Sequence, residues 1–499
     1  YQQAITLQPC DANAHDLLGD LYWQQGKAEE ALQEYRQAVK YDPGSFVAWH
    51  SIGDILSQQG RMEEAKEAYE AAAAAAESYL EGNPRDATAT YLLGALYYLL
   101  GNYEQAIPVL ERAVAMEPDA ASHYALANAY YEAQDYTKAV AHYQAALAAD
   151  PQHAASAFGL GGAYESLGKI EEAIAAYRQA LALEESGETH VALAKLYETQ
   201  GRLEEAAVEY QAAVDVLEPE SLASGSYRTA LASLLIRLCR SDEAVTVLQP
   251  SLEGDEEPAP EAMAVLAAAY EALGRTAEAE QTYEALLRTY SSLPGVHYLA
   301  AWFAYRQGRL PEAIAEMQAA VELSPAFSLA WSSLGYFHDV GGDLAAASSA
   351  HETALEAMPS NVNALVGLGE VALQQGRAED ALTQFQEALQ QQAAYAKTIP
   401  DETKSALVSI HLNLALAYER LGHTAEAEQE KVTARQLAEV VVGALPHNSW
   451  ARFLLAAVFC FTGETTRAEA AIAEAIRCDA SLAEEWERMQ GAMRRLLER

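Results

Sequence analysis

ANAHDLLGDLYWQQGKAEEALQEYRQAVKYDPGS, residues Ala12 to Ser45, is the stretch on which the reading of this chain turns. Numbered 1 to 34, it places Leu18 and Gly19 at 7 and 8, Tyr22 at 11, Gly26 at 15, Ala31 at 20, Tyr35 at 24, Ala38 at 27 and Pro43 at 32. Packing residues fall at 4, 7, 8 and 11 and again at 20, 24, 27 and 28, two faces with the 3.6-residue period of a helix. Glycine at 15 permits the left-handed turn that ends a first helix, and proline at 32 stops a second. The stretch predicts a helical hairpin.

The same slots recur along the chain. Leu93-Gly94, Tyr97, Gly101, Ala106, Leu110, Ala113 and Pro118 repeat them, as do Leu160-Gly161, Tyr164, Gly168, Ala173, Tyr177 and Ala180, and Leu334-Gly335, Gly342, Ala347, Ala354 and Pro359. Small residues at 8, 20 and 27 let two helix axes approach closely while larger side chains fill the space beside them. The pattern resembles the tetratricopeptide repeat and covers nearly the whole sequence. That resemblance implies an all-α fold, a right-handed superhelical solenoid of stacked helix-turn-helix repeats with a concave groove. Departures are local: Ser251 and Leu286 replace alanine at 27, Cys239 replaces glycine at 15, and Glu185 stands where proline is expected.

Tyr1, Ala4 and Pro9 occupy positions 24, 27 and 32, so residues 1–11 read as the remnant of a second helix, with a segment expected upstream. An array of about thirteen units follows over 12–479, beginning at Ala12, Phe46, Ala87, Ala120, Ala154, Gly187, Gly225, Pro260, Pro294, Ser328, Val362, Val408 and Ser449. Residues 480–499 read as a C-terminal capping helix, with Trp486, Met489, Met493, Leu496 and Leu497 on one side. Because a solenoid grows without new cores, one continuous array is expected. Longer units lie at 46–86, 187–224, 362–407 and 408–448. The run Ala71 to Ala76 lengthens one second helix, and Lys431 to Pro446 repeats that extension. Further interruptions at Pro219 to Ser226, Gly254 to Pro260 and Gln390 to Lys404, the last containing Ile399-Pro400-Asp401, are read as altering the curvature of the stack.

Composition fits a helical array: 51% of residues are hydrophobic and tyrosine, with 28 copies, is the dominant aromatic. No segment approaches the roughly 20 apolar residues of a membrane helix, so direct membrane insertion is not expected. Cys10, Cys239, Cys460 and Cys478 lack metal-type spacing and read as reduced, buried thiols, with Cys460 and Cys478 able to come close in the last hairpin. The net charge of −40 must be discounted for sixteen acids at positions 18 and 19, among them Glu29, Glu30, Glu63 and Glu64, which complement the dipole of each second helix. Without them it is −24, which still argues against a nucleic-acid partner and for a neutral or basic one. Solubility alone is the competing explanation.

No catalytic chemistry is legible. AYESLGKI at Ala163 to Ile170 lacks the first glycine of a phosphate loop and the hydroxyl after Lys169. His123, His190, His297 and His411 all stand at position 4 and read as packing residues, and His351-Glu352 is followed by Leu355 where a zinc-protease motif needs histidine. No catalytic, metal or cofactor-binding residue is assigned, and the visible chain reads as non-enzymatic.

Function then falls to surface. The resemblance implies that first helices line the groove and direct positions 2, 5, 9, 12 and 13 at a ligand. Position 5 carries no carboxylate clamp, and position 6 holds asparagine only at Asn413. The groove stripe is instead aromatic: Tyr91, Tyr98, Tyr124, Asn128, Tyr131 and Phe158 form one candidate peptide-binding patch, and Tyr298, Trp302, Tyr305 and Tyr336 a second. Asp16, Asp20, Asp54, Glu165 and Glu198 make the groove acidic, which would select basic side chains. The expected function is a protein–protein interaction scaffold that binds a neutral to basic peptide or protein segment. Two alternatives remain: the sensor or substrate-recruiting region of a larger enzyme, such as a signalling ATPase or glycosyltransferase, whose catalytic domain lies beyond this chain, and a structural subunit that self-assembles as a homo-oligomer. A cytoplasmic setting is expected, with periplasmic or secreted ones left open by the start inside a helix.

Overall fold

The structure, a computed structural model, describes residues 5, 8–216, 222–252, 258–396, 404–445 and 448–497. Among the described residues every regular element is a helix. First helices run Ala12–Gln24, Phe46–Gln58, Ala87–Leu99, Ala120–Glu132, Ala154–Ser166, Gly187–Thr199, Leu222–Arg237, Pro260–Ala272, Pro294–Arg306, Ser328–Val340, Val362–Gln374, Ser405–Leu421 and Ser449–Phe461. Those other than Gly187–Thr199 each pack against the helix that follows, and contacts divide the chain into two compact units, Tyr1–Leu193 and Ala194–Arg499. The helices Leu222–Arg237 and Ser405–Leu421 start three residues ahead of the repeat frame. Met62–Gly82 and Thr424–Ala444 span 21 residues where Ala28–Tyr41 spans 14. Pro219, the run Asp255-Glu256-Glu257, the break at Ile399-Pro400-Asp401 and most of 1–7 lie outside the described residues, as do the side chains of Met493, Leu496 and Leu497.

Local chemistry punctuates these helices. Asp11, Ser45, Asp86 and Asp119 cap first helices, each side chain accepting from the backbone N–H three residues on, worth about 1 kcal/mol apiece. Gly26 ends its helix at φ 72°. Where glycine is absent from that slot, Gln134 and Cys239 adopt the same left-handed backbone at 62° and 59°, a conformation that costs an L residue roughly 1–2 kcal/mol. Second helices open on acids, and a preceding arginine often binds one of them: Arg61 reaches Glu64 at 2.5 Å, Arg240 reaches Glu243 at 2.5 Å and Arg275 reaches Glu278 at 2.8 Å. These pairs are exposed and individually weak.

The core is built on one contact. A Cβ added to Gly19 would lie 2.8 Å from the ring of Tyr35, and one added to Gly161 would lie 2.6 Å from the ring of Tyr177. Gly94 stands in the same relation to Leu110 and Gly369 to Phe385. In these units the residue at 24 on the second helix therefore lies flat on the backbone of the first, where an added methyl would collide with it. Tyr35 is left only 2% exposed, and burial of such a ring is worth about 1.5–3 kcal/mol. In the second unit His351 takes this place between Gly335 and Gly367. It is buried, its Nδ1 has no hydrogen-bond partner, and burial lowers its pKa to about 4.

The expectation of reduced thiols is overturned: Cys239 and Cys478 form a disulfide with Cα atoms 4.7 Å apart. Cys478 meets Cys239, 239 residues away in sequence, rather than Cys460 in its own hairpin. The sequence framed the pairing wrongly because only local proximity can be read from hairpin spacing. Cys10 is exposed rather than buried.

Two adjacent glycines should respond oppositely to alanine. Gly161→Ala drives a methyl into Tyr177 and is expected to lower stability by about 1–3 kcal/mol. Gly162→Ala meets nothing closer than 3.6 Å and should raise it by about 0.5–1 kcal/mol through lost unfolded-state freedom. Denaturant unfolding of both variants measures the pair. His351 supplies a pH test. Its folded pKa lies below the ordinary value, so the unfolded chain takes up the proton first, and stability present above about pH 6.5 is lost as pH falls toward 4. His351→Phe should be more stable than wild type, and its advantage should grow across that window in thermal unfolding followed at successive pH values.

Candidate functional site

In the first unit the tyrosine at 24 also reaches the groove with its hydroxyl. Tyr35 donates to Asp20 at 2.7 Å, Tyr69 to Asp54 at 2.8 Å and Tyr143 to Asn128 at 2.6 Å, each fifteen residues apart. Tyr177 donates to Glu165 at 3.0 Å over a twelve-residue separation. The groove residues at 9 and 12 are thus held by the second helix behind them. A carboxylate bound in this way keeps acceptor capacity toward solvent, and Asn128, accepting through Oδ1, keeps two N–H donors. Asp16 differs: it is half-buried, one of its oxygens lacks a hydrogen-bond partner, and burial together with the nearby Asp20 charge raises its pKa to about 6.

Tyr143 is the centre around which the first aromatic patch gathers. Tyr124 packs against it with ring centroids 6.1 Å apart, and its hydroxyl ionises less readily because of burial and the proximity of Tyr124, Tyr98, Tyr131 and Glu132. Tyr124 also meets His153 at 5.0 Å, Tyr131 meets Tyr136 edge-on at 5.3 Å, and Phe158 meets Tyr177 at 5.5 Å. Tyr91, Tyr98, Tyr124 and Tyr131 pack one side against the core beneath and are only partly buried. The structure therefore brings the six sequence-identified residues onto neighbouring first helices, and adds Tyr143, which the sequence reading passed over.

Four of the five histidines at position 4 bind across the hairpin. His15, His297 and His411 face Glu34, Glu316 and Glu430 at 2.6, 2.7 and 2.5 Å through Nδ1, always nineteen residues apart. His123 faces His142 at 3.1 Å over the same separation.

In the second unit Glu198 accepts from Tyr210 at 2.8 Å and from Arg237 at 2.6 Å, so its charge is already matched. Glu271, buried, accepts from Tyr283 at 2.7 Å and forms a two-point pair with Arg306 at 2.6 and 2.8 Å. The second aromatic patch is a compact stack. Trp302 lies 5.9 Å from Tyr336 and 5.6 Å from Tyr305, the hydroxyls of Tyr305 and Tyr336 are 2.8 Å apart, and Tyr298 meets Trp302 at 6.4 Å. Tyr305 is 3% exposed, which leaves its ring no open face for a ligand from outside. It is covered by the chain's own C-terminal helix, Leu482–Leu497, whose Arg488 guanidinium lies 4.6 Å over the ring.

Sequence profiles of the tetratricopeptide repeat match residues 19–60, 45–117, 124–188, 167–221, 229–294, 295–328, 334–396 and 408–430. The chain belongs to the tetratricopeptide repeat family. No curated protein matches it. Among solved structures it is similar to the APC/C hetero-tetramer Cut9–Hcn1, with 14% identity over 98% of this chain and 96% of that one and a TM-score of 0.39. It is also similar to YrrB, described as a TPR protein with an unusual peptide-binding site, with 22% identity over 38% of this chain and 95% of that one and a TM-score of 0.30. MamA matches with 24% identity over 33% and 93% and a TM-score of 0.30. As a tetratricopeptide repeat protein the chain is a protein–protein interaction scaffold.

Not all groove acids of this repeat protein are equal at neutral pH. Burial raises the Glu370 carboxyl to about 7, against the effect of Asn413, which donates to it at 2.9 Å, and with the Asp339 charge adding to the rise. A folded pKa above the unfolded one stabilises the fold below about pH 4.5, and that contribution disappears as pH rises through 7. Glu370→Gln should therefore match wild type at pH 4 and exceed it at pH 8 in urea unfolding.

Proposed function

We propose that the first unit captures a neutral to basic segment of a partner protein in its tyrosine-lined groove. The observation that carries this reading is the convergence of Tyr98, Tyr124 and Tyr131, each only partly buried, around the Asn128–Tyr143 pair, with Tyr91 beside Tyr124. Tyrosine presents a large apolar face and a polar tip with little conformational freedom to lose, which suits it to anchoring a peptide. Asn128 spends its oxygen on Tyr143 and leaves its N–H groups for an acceptor such as a peptide carbonyl. Asp20, Asp54 and Glu165 each give one hydrogen bond's worth of acceptor capacity to a tyrosine, and the charge that remains favours lysine or arginine on the partner.

Selection from a displayed library of random twenty-residue peptides, of a length on the order of a groove-spanning ligand, tests the reading without a known partner. Wild type should enrich peptides rich in basic and aromatic residues, and the affinity of a winner should fall as salt rises. The triple variant Tyr91→Ala, Tyr124→Ala, Tyr131→Ala should lose that affinity by at least roughly a hundredfold while circular dichroism shows unchanged helicity. Enrichment of acidic peptides, or equal affinity of the triple variant, would contradict the proposal.

A further inference from the structure

The C-terminal segment does more than close the last repeat. Cys478 is joined to Cys239, two residues past the end of the first helix Leu222–Arg237. The Ala480 N–H donates at 3.0 Å to the carbonyl of Ala272, the last residue of the next first helix. Arg488 donates at 2.9 Å to the carbonyl of Tyr305 and at 3.3 Å to that of Arg306, which end the first helix after that. The segment therefore crosses the C-terminal ends of three successive first helices at the spacing of the repeat. Those ends expose carbonyls without intrahelical partners and carry the negative pole of the helix dipole, so an N–H group and a guanidinium are the groups they favour.

We infer that the helix Leu482–Leu497 is a resident ligand of the second unit's groove, held there by the Cys239–Cys478 bond, and that reduction frees the groove for an arginine-bearing amphipathic helix supplied in trans. Leu482 and Trp486 bury the apolar side of the resident, with Trp486 edge-on to Phe453 at 5.9 Å. Arg488 supplies the cation, placed over Tyr305 and against two carbonyls. Its fit is incomplete. A cavity of about 520 Å³ remains between Glu271, Trp302 and Tyr336 on the first helices and Asp479 and Leu482 on the segment. Trp302 Nε1 and Arg488 Nε are buried without hydrogen-bond partners. A ligand that leaves space and unpaired donors depends on its tether for occupancy, because the tether sets its effective concentration.

Release requires two electrons. A dithiol such as dithiothreitol supplies them: its thiolate attacks one sulfur of the bond, the other departs as a thiolate, and the second thiol closes on the mixed disulfide. Both cysteines end protonated with protons from the reagent, which leaves as a cyclic disulfide. Cys239 and Cys478 are each partly exposed, so the bond is open to attack. Cys239 also occupies a left-handed slot that glycine fills in other repeats, with φ 59°. Cys239→Gly therefore removes the tether while relieving the backbone, and it opens the groove without any reductant.

The test uses the full chain and a labelled peptide of the sequence 480–499 as probe, read by fluorescence anisotropy, together with amide hydrogen exchange across 482–497. The oxidised chain should bind the probe at least roughly tenfold more weakly than the dithiothreitol-reduced chain or Cys239→Gly. Exchange at 482–497 should be faster in both opened forms, and the probe carrying Arg488→Ala should bind none of them. Equal probe binding by oxidised and opened forms, unchanged exchange, or release of the helix without probe binding would each overturn the inference. Because none of these readouts involves Tyr91, Tyr124 or Tyr131, the outcome is independent of the first unit's proposed role.

Discussion

Much of this fold depends on a side chain lying flat against a helix backbone. At position 8 six of the thirteen first helices offer a glycine and the other seven an alanine, and opposite those glycines the second helix offers at 24 a tyrosine, leucine, phenylalanine or histidine that occupies the vacancy. Interiors are packed tightly enough that a single methyl at such a place is felt. The constraint sets the separation of the two helices, and through it the pitch at which the next hairpin is added. Alanines at 20 and 27, such as Ala31 and Ala38 with no exposure, follow from the same need for close approach.

The contact has a second consequence at the surface. When the residue at 24 is tyrosine, its hydroxyl emerges beside the groove and takes hold of position 9 or 12: Asp20, Asp54 and Asn128 in one spacing, Glu165, Glu198 and Glu271 in the other. One side chain thus packs two helices and orients a groove residue. Where the residue at 24 is leucine or phenylalanine, as at Leu110 and Phe385, the groove loses that hydroxyl. The acidic character of the groove is therefore partly a product of packing, and net charge overstates what is offered to a partner. Glu198 and Glu271 illustrate the limit, since Arg237 and Arg306 already answer them.

Hairpins, turns and most helix starts were legible because each is written within 34 residues of local sequence. The tyrosine hydroxyl pairs were legible in principle as recurring separations of fifteen and twelve, but reading each helix face alone assigned the acids to ligand selection and overlooked Tyr143. The histidines at 15, 297 and 411 carried a parallel signal, a glutamate always nineteen residues later. The disulfide and the return of Arg488 to Tyr305 were not legible. They depend on how the second unit's repeats curl, a sum of small rotations that no single unit records, and they join residues 239 and 183 positions apart. The second aromatic patch looked like an open stripe for the same reason.

The link between packing and groove can be measured at one pair. A double-mutant cycle on Tyr143→Phe and Asn128→Ala, read by urea unfolding, isolates the hydroxyl–amide bond that organises the first patch. The account predicts a coupling of about 0.5–1.5 kcal/mol. Strict additivity of the two substitutions would contradict it, because the groove residue would then be independent of the ring that packs the repeat.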